Sequence, residues 1–138
     1  MREYLFRGKR IDDGKWVYGY YVKATHHWHN YGIHEDWIAI DTIQNGGWCN
    51  VRGKHAVIPE TIGEYTGLCD KNGNKIFEGD ILQNEPSYVY SREYRNVVVF
   101  DEGEFYGEGS CPFLAEEFKY CEVIGNIHDN PELLEVEL

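Results

Sequence analysis

Closely spaced turn signals leave this chain little room for a long helix. Asp12-Asp13-Gly14, Asn45-Gly46-Gly47, Asp70-Lys71-Asn72-Gly73-Asn74, Gly79-Asp80 and Asp101-Glu102-Gly103 each join a glycine to Asp, Asn or Glu. Glycine supplies positive φ without steric cost, and Asp or Asn bonds its own backbone to tighten a turn. The runs between these signals are aromatic and β-branched, as strands require: residues 16–22, 37–43, 65–69, 75–77 and 96–100. Gly14 sits at the apex of a first hairpin, and 48–57 is expected to return antiparallel to 37–43. Asn72-Gly73 predicts a two-residue turn that places Asp70 opposite Lys75. The continuous apolar content at 96–100 implies a strand buried on both faces or an inner strand.

Helix is a minor component in this reading. Pro59 and Glu60 before Gly63 predict one helical turn, and 112–118 two turns with Leu114 and Phe118 on one face. Asn130-Pro131-Glu132 opens a short helix with Asn130 as its cap. Seven to nine short strands suit a mainly β fold, built as a small β-barrel or two small β units. A boundary falls at 54–59, giving a β-rich part at 1–56 and a second domain at 57–138. With 42% of its residues hydrophobic and 15% aromatic, a chain of 138 residues supplies a core.

Charge divides the chain unevenly. Residues 1–99 carry 13 acidic and 12 basic side chains, whereas 100–138 carry 11 acids and only Lys119. That field disfavours nonspecific nucleic-acid binding and favours a basic protein partner. No stretch approaches the ~20 apolar residues of a membrane span, and the start lacks a secretion signal, so a soluble, cytoplasmic protein without membrane contact is expected. Cys49, Cys69, Cys111 and Cys121 have no Cys-x-x-Cys spacing and read as free thiols.

Few residues invite chemistry. His26, His27, His29 and His34, followed by Glu35 and Asp36, are ligand types for a transition metal, but their spacing fits no standard site and a polar loop is the expectation. Asp70, Glu78 and Asp80 are the best carboxylate group, with Glu78 and Asp80 on one face if the strand runs regularly through Gly79. Turn formation accounts for them more simply. Gly107-Glu108-Gly109 lacks the lysine and helix of a phosphate loop. Arg2, Arg7, Lys9, Arg10, Lys15 and Lys23, interleaved with Tyr4, Phe6, Trp16, Tyr18, Tyr20 and Tyr21, resemble a surface that holds single strands by charge and stacking, although aromatic residues on strands more often form core. No catalytic motif is present, and neither a cofactor nor a metal is expected.

Three stretches carry a resemblance. Residues 57–82, including Pro59-Glu60-Thr61-Ile62-Gly63-Glu64-Tyr65-Thr66-Gly67-Leu68 and Gly73-Asn74-Lys75-Ile76-Phe77-Glu78-Gly79-Asp80, resemble the signature of the YopX family of phage and prophage proteins. Residues 122–134, including Gly125-Asn126-Ile127-His128-Asp129-Asn130-Pro131, and the opening 2–10 with 16–21, including Tyr4-Leu5-Phe6-Arg7-Gly8 and Trp16-Val17-Tyr18-Gly19, are similar to it as well. Segments 25–36 and 83–95 match none of its motifs. The resemblance implies a C-terminal SH3-like barrel over 57–138, a β-rich N-terminal part and a phage or prophage origin. It supplies no catalytic or binding residues, and Cys69 stands where the family more often carries a charge. The expected role is a non-catalytic accessory protein that binds another protein, with self-association open to small sheets that expose edges. The alternative is nucleic-acid binding in phage replication through the basic N-terminal hairpin.

Overall fold

The computed structural model describes residues 4–23, 36–45 and 48–134. They form two compact units, Met1–Glu64 and Tyr65–Leu138, and their strands pair into two antiparallel sheets. No helix among the described residues is long and apolar enough to cross a membrane.

In the first unit, β1 (Phe6–Lys9), β2 (Trp16–Lys23), β3 (Asp36–Asn45) and β4 (Trp48–Ala56) lie in the order β4-β3-β2-β1. The first hairpin forms as its sequence predicts. Gly14 takes φ +70°, the Asp13 N–H donates to Asp12 Oδ1 at 2.7 Å, and the Lys15 N–H donates to Asp13 Oδ1 at 2.9 Å. Gly19 is required by a close approach, since a Cβ there would lie 2.1 Å from the Ala39 carbonyl oxygen. Residues 57–64 stay with this unit, rather than following a division after Ala56. Val57 bridges Arg10, and the Lys9 N–H donates to Thr61 Oγ1 at 2.9 Å. The helical turn expected after Pro59 is a 3-10 turn, Pro59–Thr61.

β5 (Gly63–Cys69) changes partners along its length. Gly63 and Glu64 pair with β1, and Tyr65 and Cys69 pair with β6 (Lys75–Phe77). The second unit continues through β7 (Asp80–Asn84), β8 (Arg95–Asp101), β9 (Glu104–Glu108), β10 (Phe113–Leu114) and β11 (Cys121–Asn126), in the order β10-β9-β8-β7-β11. β8 is an inner strand, as expected, with Asn96 and Val98 buried on one face, Val97 and Val99 half-buried on the other and Phe100 exposed. Pairing ends at β10 and β11, and no closed barrel forms among the described residues. Ile76, Leu82, Val98, Phe113, Phe118 and Cys121 make the core, each large side chain contributing roughly 1.5–3 kcal/mol by leaving water.

The two longer helix expectations need correction. Phe113 and Leu114 pair with Gly107 and Tyr106 as a strand, and a 3-10 turn, Ala115–Tyr120, follows. Leu114 is therefore 58% exposed while Phe118 is fully buried, so they share no face. The last helix is the 3-10 turn Pro131–Leu134, and Asn130 directs its Oδ1 to the Asn126 N–H at 3.3 Å instead of capping it.

Candidate functional site

The glycine- and aspartate-rich turns serve the fold. Asp70 does not face Lys75, because Cys69 takes that register and 70–74 forms a wider loop. The buried Asp70 carboxylate accepts the N–H groups of Asn72 at 2.9 Å, Asn74 at 2.8 Å and Val123 at 3.0 Å. It thereby ties the loop to β11. Burial alone would push its pKa up, but these donors, Val123 foremost, hold it below the ordinary value. Asp80 is buried as well and accepts the Phe77 N–H at 2.7 Å. Gly79, at φ +92°, breaks the strand between Glu78 and Asp80, so the face expected to carry both carboxylates does not exist.

Gly107-Glu108-Gly109 has a packing explanation. A Cβ on Gly107 would lie 3.0 Å from Asn96 Cβ, and one on Gly109 would lie 2.2 Å from Asn96 Oδ1 and 2.9 Å from the Arg95 carbonyl oxygen. The glycines admit the fully buried Asn96, whose amide donates to the Cys111 carbonyl at 3.0 Å. At 125–130 the Asn126 Oδ1 accepts the N–H groups of His128 and Asp129, at 3.0 and 2.9 Å. A Cβ on Gly125 would meet Asn130 Oδ1 at 2.6 Å. These side chains are occupied with backbone geometry.

A cleft of about 470 Å³ opens elsewhere in the second unit. Pro86, Val89 and Tyr90 line it from the 85–94 loop, Glu117 and Tyr120 from the 3-10 turn, and Lys71 from the β5–β6 loop. One side chain closes the base of the 85–94 loop: Asn84 accepts the Tyr94 N–H on Oδ1 at 2.6 Å and donates to the Arg92 carbonyl at 3.1 Å. Ser87 Oγ accepts the N–H groups of Val89 and Tyr90, both at 3.2 Å. The Tyr90 ring stands edge-on to Phe113, centroids 5.6 Å apart, and its hydroxyl donates to Glu117 Oε1 at 2.7 Å. The second Glu117 oxygen accepts the Leu114 N–H at 2.9 Å. That bond to Glu117, with burial, pushes the Tyr90 pKa up to about 12. Lys71 pairs with Glu85 and lies 3.9 Å from Glu122. Burial raises the Cys121 thiol to about 11, which keeps it protonated and a poor nucleophile at neutral pH. The cleft walls are thus held by the protein's own bonds.

This cleft drew no attention in the sequence because 83–95 contains no motif; its signal is Pro86 with Tyr88, Tyr90 and Tyr94 in one loop. His26, His27, His29, His34 and Glu35 lie outside the described residues. Asp36 accepts a hydrogen bond from the Tyr21 hydroxyl, which raises the tyrosine pKa to about 12. Among the described residues no group of three or more His, Cys, Asp or Glu is placed to hold a metal ion. The basic hairpin divides in character. Arg7 is buried with its guanidinium 4.6 Å from the Trp16 ring centroid, and Arg10 pairs with Asp12 at 2.8 Å and Asp13 at 3.5 Å. Tyr18 and Tyr20 remain half exposed.

No curated protein matches the chain. Among solved structures, the crystal structure of protein EF1440 from Enterococcus faecalis is 28% identical, covers 98% of this chain and 100% of its own, and superposes with a TM-score of 0.62. The family model described as YopX protein matches residues 5–135. With that match running through both units, the chain belongs to the YopX family.

Proposed function

We propose that this is a non-catalytic phage or prophage accessory protein that binds another protein through the cleft beside the 85–94 loop. The observation that carries the reading is apolar surface left open beside a rigid wall. Tyr88 is fully exposed, Val89 is 75% exposed and Tyr120 67%, while Asn84, Ser87 and Tyr90 hold the wall in place. Concave apolar sites with a few fixed polar groups are the usual form of a binding site. The non-catalytic part is supported by the carboxylates of Asp70, Asp80 and Glu117, each of which accepts a backbone N–H. The finer fold belongs to the same proposal. A meander β7-β8-β9-β10, a 3-10 turn and a last strand returning to β7 follow the connectivity of an SH3-like barrel.

Selection of a displayed peptide library on the wild type and on Tyr120→Ala tests the cleft. Enriched sequences are expected to lose about tenfold or more in affinity on the variant, as truncation of an interface aromatic does. Equal enrichment on both proteins removes the cleft as the site. Tyr120 is exposed, so its loss leaves the core intact.

A nucleic-acid reading retains one observation. Tyr18 and Tyr20 alternate along β2 with their rings half exposed, in a unit that also exposes Lys15 and Lys23. It predicts a salt-sensitive mobility shift with single-stranded DNA that weakens when Tyr18 and Tyr20 become alanine. No shift at low salt discards it.

A further inference from the structure

We infer that the cleft takes an extended, cationic, proline-containing segment of a partner protein, an inference that rests on the cleft being a protein-binding site.

Shape argues for the extended form. About 470 Å³ holds a few side chains, and its apolar lining is Pro86, Val89 and the rings of Tyr90 and Tyr120. Grooves lined with aromatic rings take polyproline II segments because such segments are already extended, keep their backbone free of internal hydrogen bonds and lose little entropy on docking. The wall is fixed too, by the Asn84 and Glu117 bonds, so neither side has much to order.

Charge argues for the cation. Residues 65–138 carry 16 acidic and 5 basic side chains, a net of −11, whereas 1–64 carry 8 of each and balance. At the cleft itself Glu85 and Glu117 are matched by Lys71 and Lys119, so the field that draws a cation comes from the rest of the unit. Lys71 is paired with Glu85 and Glu122. Lys119 holds its ammonium 5.2 Å from the Tyr120 ring centroid, which marks that ring face as a place where a cation rests. An arginine from a partner fits the same face, beside a turn that also carries Glu116 and Glu117. A planar guanidinium stacks on an aromatic ring better than an ammonium does, so an arginine competes with Lys119 for that face. The surrounding acidity steers such a segment inward and repels acidic peptides and nucleic acid.

Fluorescence anisotropy with three labelled peptides of equal length tests this, using repeats of Arg-Pro-Pro, Glu-Pro-Pro and Arg-Gly-Gly. Arg-Pro-Pro is expected to bind, at least about tenfold tighter than either other peptide, and to weaken about tenfold on Tyr120→Ala. Arg-Gly-Gly binding as tightly as Arg-Pro-Pro overturns the inference, because charge alone then explains the contact. Arg-Pro-Pro binding that ignores Tyr120→Ala, or absent binding, overturns it as well. If Arg-Pro-Pro fails while library selection still returns Tyr120-dependent sequences, the inference falls and the module reading stands. Failure of both removes both.

Discussion

Asp70→Ala is expected to lower stability by about 3 kcal/mol at neutral pH, and the melting midpoint by roughly 10 °C. Three backbone N–H groups lose their acceptor at once, and the one from Val123 belongs to another strand. A methyl group offers no substitute, and the site is buried, so water restores little of the loss. Asp70→Asn keeps an acceptor oxygen and the shape, and should recover about half. The carboxylate is held below its unfolded pKa, which for aspartate is about 3.9. Its contribution is therefore complete above that value and drains away as pH falls through the folded pKa. The gap between wild type and Asp70→Ala, read by urea denaturation, should be wide at neutral pH and narrow in acid. Equal midpoints at neutral pH would show that the Asp70 bonds contribute nothing net.

Gly19→Ala should cost a similar amount in the first unit, about 3 kcal/mol, for a reason unrelated to hydrogen bonding. The new methyl would sit 2.1 Å from the Ala39 carbonyl oxygen and 2.8 Å from its carbon, and both atoms belong to a paired strand. Backbone in a sheet yields only if the ladder moves. Gly14→Ala is the control. At φ +70° it meets no atom within 4 Å, so only the left-handed conformation is penalised, by about 1 kcal/mol. Thermal melts of the two variants separate collision from backbone strain. Comparable losses at both positions would mean that β2 and β3 adjust more freely than their spacing implies.

Local chemistry was readable in the sequence wherever both partners lie within a few residues. Gly14 and Asp13 build their own turn, and Glu102-Gly103 takes positive φ between β8 and β9. The sequence predicts a turn at Asp70, which forms, but pairs it with Lys75, because the bond to Val123 spans 53 positions and no local rule reaches that far. Residues 112–118 read as helical because Leu114 and Phe118 are four apart. The competing interaction, pairing of Phe113 and Leu114 with β9, depends on where the chain has already been. The cleft was hidden for the same reason: Tyr90 and Glu117 are 27 positions apart, and neither belongs to a motif. The signature residues are legible as a family likeness, while their structural work emerges from close contacts such as those at Gly19 and Gly125.

The fastening of the 85–94 loop at its base has a consequence for how such a protein changes over generations. Asn84 secures both ends through main-chain groups of Tyr94 and Arg92, so the bonds do not depend on which side chains occupy the tip. Tyr88 and Val89 lie almost wholly outside the packed interior. Substitution at the tip is therefore nearly neutral for folding, and under the proposed function it acts directly on recognition. If the cleft is the binding site, a lineage of such chains is free to exchange one target for another by altering two or three exposed letters, while in this loop selection for foldedness keeps watch over the anchor.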